Sequence, residues 1–173
     1  MKTNAVIEVL MSRRSQRAFQ DRPLDREDLE TLVACAQWAP SAHNRQEWVF
    51  AVVTNRDMIC RLAAAIATVL DRASYDMYAP QALIVVAHKK GAAFGREDDG
   101  CAMENIMVAA QSLGIGSVWI NQLQGICDEA IIRPLLDAFG IPSDYEVHGV
   151  AALGYGTDGG RDQVRKSQVV WND

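Results

Sequence analysis

The stretch 39-APSAHNRQEWVFAVVT-54 joins a polar loop to a buried strand, and the fold assignment depends on it. Its first part, from Pro40 to Glu47, starts at a proline and is rich in serine, asparagine and glutamine. Side chains of this kind supply matched donors and acceptors for the polar rim of a heteroaromatic ring. Its second part, from Trp48 to Thr54, is β-branched and aromatic, which predicts a buried strand.

Helices and strands alternate along the rest of the chain. Apolar spacing predicts helices at about residues 4–12, 25–39, 56–72, 98–113 and 128–139, and strands at 48–54, 82–87, 117–120 and 147–153. We expect Asp25 to cap the second helix, Asp98 or Asp99 to cap the fourth, and Gly114 to end the fourth in a left-handed conformation. By itself this alternation favours a parallel α/β sheet.

The composition indicates one globular domain over residues 1–173. Of the 173 residues 49% are apolar, which is enough to bury a core without disulfides or a structural metal. The net charge of −5 disfavours nucleic acid as a partner. The longest uncharged apolar run, nine residues from Leu62 to Leu70, is far shorter than the roughly 20 residues needed to cross a membrane. Since the N-terminus lacks a signal-peptide pattern, we expect a cytoplasmic protein without a membrane partner.

The sequence shows no pattern typical of a metal site or a catalytic triad. The four cysteines include no C-x-x-C pair, and His43, His88 and His148 are well separated, without carboxylates at ligand spacing. Ser41 and His43 are neighbours, but no G-x-S-x-G elbow surrounds Ser41. We therefore assign no catalytic side chain and no metal.

A glycine motif near the C-terminus suggests a dinucleotide site but lacks the context of one. Gly154-Tyr-Gly156-Thr-Asp-Gly159 matches G-x-G-x-x-G. A dinucleotide-binding turn must open a helix and be followed about 20 residues later by an acidic residue. Only 14 residues follow Gly159, and none forms a helical pattern. An ordinary glycine-rich turn is the favoured interpretation.

Two small basic clusters suit a compact anion. Arg13-Arg-Ser-Gln-Arg17 offers planar guanidinium groups and a hydroxyl donor, and Arg165-Lys166 forms the second cluster. Alone, each fits a solvated basic turn of an α/β domain without an assigned activity. Together with the polar loop they describe a ligand with a phosphate at one end and a ring with imide-like edges at the other, such as a mononucleotide cofactor.

These motifs resemble the compact form of the nitroreductase family of FMN-dependent enzymes. The resemblance is carried by Arg13-Arg-Ser-Gln-Arg17 with Phe19, by Ala39-Pro-Ser-Ala-His-Asn-Arg-Gln-Glu-Trp48, by Leu113-Gly-Ile-Gly-Ser-Val-Trp-Ile120 after Glu104-Asn105, and by Gly154-Tyr-Gly156. They occur in the family's order over almost the whole chain. Glu47 replaces the family's usual proline, and Gln122 stands where longer members often carry glycine.

The resemblance implies a fold and an activity. The fold is α+β, with a central, mostly antiparallel sheet flanked by helices and a C-terminal segment exchanged across a homodimer. The activity is reduction of flat electrophiles, such as nitroaromatics and quinones, with bound FMN and with NADH or NADPH as donor, in a ping-pong order. The alternatives are an FMN-binding protein without turnover, used for storage or sensing, and another flavin reaction such as enone reduction or reductive dehalogenation.

The resemblance also implies the residues that hold the cofactor. Arg13 and Ser15 would bind the phosphate and ribityl oxygens, Arg17 would approach the pyrimidine side of the ring, and Arg165 and Lys166 would complete the phosphate site. Backbone N–H groups near Asn121 and Gln122 would lie close to N5 of the flavin, and the polar loop would come from the partner subunit. The full set is Arg13, Arg14, Ser15, Arg17, Pro40, Ser41, Asn44, Gln46, Asn121, Gln122, Arg165 and Lys166.

Overall fold

A computed structural model describes residues 2–161 and 164–172 of the chain. This part contains five α-helices, one short 3₁₀ turn at Ala42–Asn44 and four strands. The helices are α1 (Ala5–Ser12), α2 (Arg26–Gln37), α3 (Arg56–Val69), α4 (Gly95–Ser112) and α5 (Arg133–Ala138). The strands are β1 (Trp48–Val53), β2 (Ala82–Lys89), β3 (Gly116–Ile120) and β4 (Tyr145–Gly154). Within these residues no helix has the length and apolarity that a bilayer crossing requires.

The four strands form one antiparallel sheet in the order β1-β2-β4-β3. Trp48 of β1 lies opposite His88 of β2, and β4 pairs with β2 on one side and β3 on the other. The α+β class with an antiparallel sheet is therefore confirmed, and the parallel arrangement favoured by local pattern is wrong. Alternation along the chain shows where the elements are but not the direction in which each strand re-enters the sheet.

The central position of β2 explains why its sequence is typical of a parallel strand. Residues 82–87 are fully buried, because α3 and α5 cover one face of the sheet while α2 and α4 cover the other. Leu83 and Val85 pack with Leu62 and Ile66 of α3, whereas Ile84 and Val86 pack in the second core with helices α2 and α4. A strand buried on both faces reads as a continuous apolar run in either kind of sheet.

Several element ends differ from the sequence-based predictions. Helix α4 begins at Gly95, so Asp98 and Asp99 lie inside the helix rather than at its cap, and both are buried. Asp25 does precede α2, but its side chain makes no capping hydrogen bond. Helix α5 is only six residues long and begins near Pro134. Gly114 follows α4 with φ +71°, as expected of a left-handed glycine.

Residues 13–19, which we call the arginine segment, run from the edge of β3 to the turn that follows β4. Ser15 forms a parallel bridge with Ser117, and Phe19 forms an antiparallel bridge with Gly156. Gln16 is buried between them, and its Nε2 donates to Oδ1 of Asp158 at 2.6 Å. The motif from Gly154 to Gly159 therefore serves as a turn that receives this segment, and no helix follows it in the described residues.

Gly116 is expected to be intolerant of a side chain, because a Cβ there would lie 2.7 Å from Cγ and 2.9 Å from Cβ of buried Gln16. We predict that Gly116→Ala lowers the free energy of unfolding by about 1–3 kcal/mol, as overpacking does elsewhere. The matched control is Gly159→Ala, where a Cβ meets nothing within 4 Å. Urea unfolding measures both, and equal midpoints would contradict the close packing of Gln16.

Candidate functional site

The arginine segment begins where α1 ends. Arg13 leaves the helical conformation with φ −56° and ψ 132°, which turns the chain into an extended path towards β3. Its guanidinium is partly buried and lies 3.8 Å from Oε1 of Glu104. Nη1 of Arg14 instead donates to the carbonyl oxygens of Met11 and Arg13 at 2.7 and 3.0 Å. Arg14 therefore shapes the turn, while the guanidinium of Arg13 lies at its rim.

Ser15 and Arg17 complete this segment. Ser15 is half-buried at its bridge to β3, and Arg17 is exposed. The guanidinium carbon of Arg17 lies 5.9 Å from the ring centroid of Tyr78, within the range of a cation–π contact. Tyr78 belongs to a run of three left-handed residues, from Met77 to Ala79. A rigid kink thus presents an aromatic ring beside an arginine.

The polar loop, residues 40–47, has an unusual backbone. His43, Asn44 and Gln46 have φ values of 55°, 53° and 52°, a region that Asn and His adopt more often than most other side chains. Left-handed non-glycine residues cost about 1–3 kcal/mol each and occur mainly at functional sites. The backbone N–H of Gln46 donates to Oγ of Ser41, and its Nε2 donates to Oδ1 of Asn44 at 2.8 Å.

The polar loop borders a large open cavity. The cavity has a volume of about 920 Å³ and is lined by Pro40, Asn44 and Gln46 together with apolar residues that include Trp38 and Trp48. Arg14 lines a different, smaller cavity of about 230 Å³. Among the described residues, no hydrogen bond or ion pair joins Arg13, Ser15 or Arg17 to the polar loop. The two groups of expected site residues therefore make no direct polar contact in the described part of the chain.

The remaining expected residues lie apart from both groups. Asn121 follows β3 directly, and its backbone N–H donates to Oε1 of Gln122 at 3.1 Å. Arg165 and Lys166 are exposed in a stretch without regular structure. Over residues 2–161 and 164–172 these two side chains make no hydrogen bond or ion pair, and the neighbouring positions 162 and 163 lie outside the described residues.

The structure also contains a buried polar cluster that the sequence analysis missed. The carboxylate of Asp99 is fully buried and lies 2.9 Å from Nδ1 of His88 and 2.9 Å from Nδ1 of His148. The three residues meet because β2 and β4 are neighbours beneath α4, and no spacing in the sequence reveals this. One signal was available: Asp99 precedes Ala102 by three residues and Ile106 by seven, which places a carboxylate on the apolar stripe of α4.

Asp99 controls the protonation of His148. Its hydrogen bond raises the pKa of His148, and this effect exceeds that of burial, which acts in the opposite direction. Oε1 of Glu146 lies 3.6 Å from Nε2 of the same ring and adds to the increase. A protonated imidazole donates through Nδ1 to the buried carboxylate, which thereby keeps a cationic partner.

We predict that His148 stabilises the protein more at low pH than at high pH. Because its folded pKa lies above the unfolded value of about 6.5, its contribution is complete below that value and is lost as pH rises through the folded pKa. Urea unfolding of the wild type and His148→Gln at several pH values measures this contribution. The difference in unfolding free energy should shrink with rising pH, and a constant difference would contradict the assignment.

Comparisons with known proteins show which family this chain resembles over most of its length. The family model described as the Nitroreductase family matches residues 10–82 and 71–155. An Archaeoglobus fulgidus protein named "Putative NADH dehydrogenase/NAD(P)H nitroreductase" is 35% identical over 158 residues, which cover 88% of this chain and 86% of that protein.

Two solved structures show the same fold. A Bacteroides fragilis nitroreductase with bound FMN has a TM-score of 0.88 and 29% identity, and the match covers 99% of this chain and 100% of that one. A Desulfitobacterium hafniense nitroreductase with bound FMN has a TM-score of 0.89 and 22% identity, with the same coverage of both chains. The architecture is thus shared over the full length.

Proposed function

Because the chain belongs to the nitroreductase family, we propose that it is an FMN-dependent oxidoreductase that takes electrons from NADH or NADPH. The observation that carries the proposal is the arginine segment, which is fixed by bridges to β3 and to the turn after β4 and which carries Arg13 and Ser15. The name of the Archaeoglobus relative and the FMN bound to the Bacteroides structure support it. We propose nitroaromatics and quinones as electron acceptors.

The donor chemistry of the described residues fits FMN. A guanidinium such as that of Arg13 binds phosphate through two parallel hydrogen bonds, and the hydroxyl of Ser15 supplies another donor. The amide groups of Asn44 and Gln46 carry both donors and acceptors, which suits the imide edge of a flavin ring. Asn121 follows Ser117 by four residues, a distance of about 13 Å along a strand. An elongated ligand with an anionic end and a ring is compatible with this spacing.

FMN supplies the hydride and electron transfer chemistry when bound. With FMN bound, the chain's own residues would hold the ring and would stabilise negative charge at its pyrimidine edge. We propose Arg17 for the last role, since its charge is held beside Tyr78. The donor and the acceptor then use the same open face in turn, which gives a ping-pong order and requires no nucleophilic side chain.

We also propose that the working form is a homodimer whose two sites each combine residues of both chains. Among the described residues of one chain, no hydrogen bond or ion pair joins the arginine segment to the polar loop, which supports a site completed by a second copy. The C-terminal segment supports this: Val164, Val169, Val170 and Trp171 are 68–82% exposed, and clustered exposed apolar side chains mark interaction surfaces. Exchange of this segment would also bring Arg165 and Lys166 to the partner's site. The cytoplasmic location stays a prediction.

The proposed activity is tested by the visible absorbance of the purified protein during anaerobic addition of NADH and then NADPH. We expect flavin bands that bleach with at least one nucleotide.

Arg17→Ala should slow bleaching by about tenfold or more with FMN retained, because charge stabilisation is lost. Arg13→Ala should instead lose FMN on dilution, since a charge-assisted contact contributes about 1.5–3 kcal/mol.

The control for both variants is Arg26→Ala, because Arg26 lies on α2 and pairs with Glu30. It should retain FMN and bleach at the wild-type rate. A purified protein that neither contains nor binds FMN would contradict the proposed function. Equal losses of FMN in all three variants would contradict the specific roles proposed for Arg13 and Arg17.

The shared site predicts complementation between two defective variants. Arg13→Ala and Asn44→Ala should each bind FMN weakly as homodimers. If the polar loop comes from the partner, an equimolar mixture that has exchanged subunits should regain about a quarter of the wild-type sites, because each mixed dimer has one intact site. FMN fluorescence quenching measures the recovery. No recovery after demonstrated subunit exchange would show that both residues serve the same chain's site.

A further inference from the structure

The N-terminal end of α4 supports the polar loop. Oδ1 of Asp98 accepts a hydrogen bond from the backbone N–H of Ala42 at 2.9 Å, across 56 positions of sequence. One turn earlier, the ring of Phe94 lies 6.4 Å from the ring of His43 in an edge-to-face arrangement. Asp98 is only 6% exposed. A buried carboxylate in the first turn of a helix is favoured by the helix dipole, and here it faces the loop.

The same turn of α4 is fastened to the sheet. Asp99, the next residue, accepts from His88 of β2 and His148 of β4. Gly95 permits this approach, because a Cβ there would lie 3.1 Å from the ring of His88 and 3.4 Å from that of His148. The two adjacent carboxylates therefore contact different parts of the fold: Asp99 accepts hydrogen bonds from the sheet, and Asp98 accepts one from the polar loop.

The polar loop depends on support from outside. Three of its residues are left-handed, and such conformations persist only where the surrounding structure determines them. At the β1 end of the loop, the carbonyl oxygen of Glu47 accepts from the backbone N–H of Lys89 at 3.0 Å. Within residues 41–46 the other hydrogen bonds are internal. In the described residues, the bond to Asp98 is the one hydrogen bond from residues 41–46 to a residue outside the loop.

We propose that Asp98 is a positioning residue for the polar loop. Its carboxylate, held in place by α4, fixes Ala42 and thereby the left-handed turn that presents Ser41, Asn44 and Gln46. The consequence for FMN binding rests on the proposed function. The anchoring of the loop does not, because it concerns only contacts within this chain.

The first test needs no flavin. Arg45 lies in the loop and is exposed, so trypsin cleavage after Arg45 reports loop opening, and cleavage after exposed Arg72 at the end of α3 serves as the control site. We expect Asp98→Ala to accelerate cleavage after Arg45 by about tenfold without changing that after Arg72. Asp98→Asn keeps an acceptor oxygen for the N–H of Ala42, so trypsin should cleave this variant after Arg45 at nearly the wild-type rate.

The second test uses the full-length protein with FMN and a double-mutant cycle. Ala42→Pro removes the N–H that donates to Asp98, and Ser41 already has the extended conformation (φ −130°, ψ 149°) that precedes a proline. Each single variant should weaken FMN binding by about tenfold, and the thermal midpoint of the flavin-free protein should fall by only the few degrees that the loss of one hydrogen bond causes. The double variant should be no weaker than either single one, because both remove the same bond.

Three results would overturn the positioning role: unchanged cleavage after Arg45 in Asp98→Ala, equal acceleration at Arg45 and Arg72, or Asp98→Asn behaving like Asp98→Ala. Additive effects in the cycle would also overturn it. A wild type that binds no FMN would instead contradict the proposed function, while the protease experiment would still decide whether Asp98 holds the loop.

Discussion

The carboxylate of Asp99, shared by two imidazoles beneath α4, is the contact on which the arrangement of the site depends. A fully buried carboxylate is costly unless it is hydrogen-bonded, and here each oxygen has its own histidine partner. Those partners come from the two central strands of the sheet. These hydrogen bonds therefore fix the N-terminal end of α4 relative to β2 and β4. They also fix the position of Asp98, which contacts the polar loop from the same turn of α4.

A second constraint acts at the β3 edge of the sheet. The arginine segment lies against β3 and against the turn after β4, where glycines at positions 116, 154 and 156 leave room for the side chains of Gln16 and Phe19. Bridges to Ser117 and Gly156 therefore fix the backbone at both ends of the segment. Within one chain, the arginine segment and the polar loop are thus supported by different elements.

Much of the fold was readable from local sequence, and the limits have physical causes. The short helix at about residues 4–12, the strand that begins at Trp48 and the glycine after α4 were predicted because each depends on neighbours in sequence. The strand directions were not, since β2 is buried on both faces and its apolar run carries no sign of its pairing. The motif resemblance supplied the antiparallel sheet that the local pattern lacked.

Prediction of the site was limited in the same way, because local sequence revealed its motifs but not its long-range contacts. Composition and motif order pointed to the arginine segment and the polar loop. The contacts of Asp99 with His88 and His148 join residues that are 11 and 49 positions apart, and only the folded chain brings them together. The handedness of the polar loop also could not be read from its residues. Asn44 and His43 belong to residue types that are enriched in the left-handed region, whereas Gln46 adopts the conformation against its preference.

That handedness limits which sequences the loop can accept. At residue 44 the backbone and the proposed ligand contact favour the same side chain, so asparagine satisfies both requirements. At residue 46 they diverge, because the amide is useful but glycine would suit the backbone better. A β-branched residue at either position is disfavoured by the backbone before any ligand is considered. Position 44 should therefore vary little, because the backbone and the ligand contact favour the same residue, whereas at position 46 the backbone favours glycine and the ligand contact favours an amide.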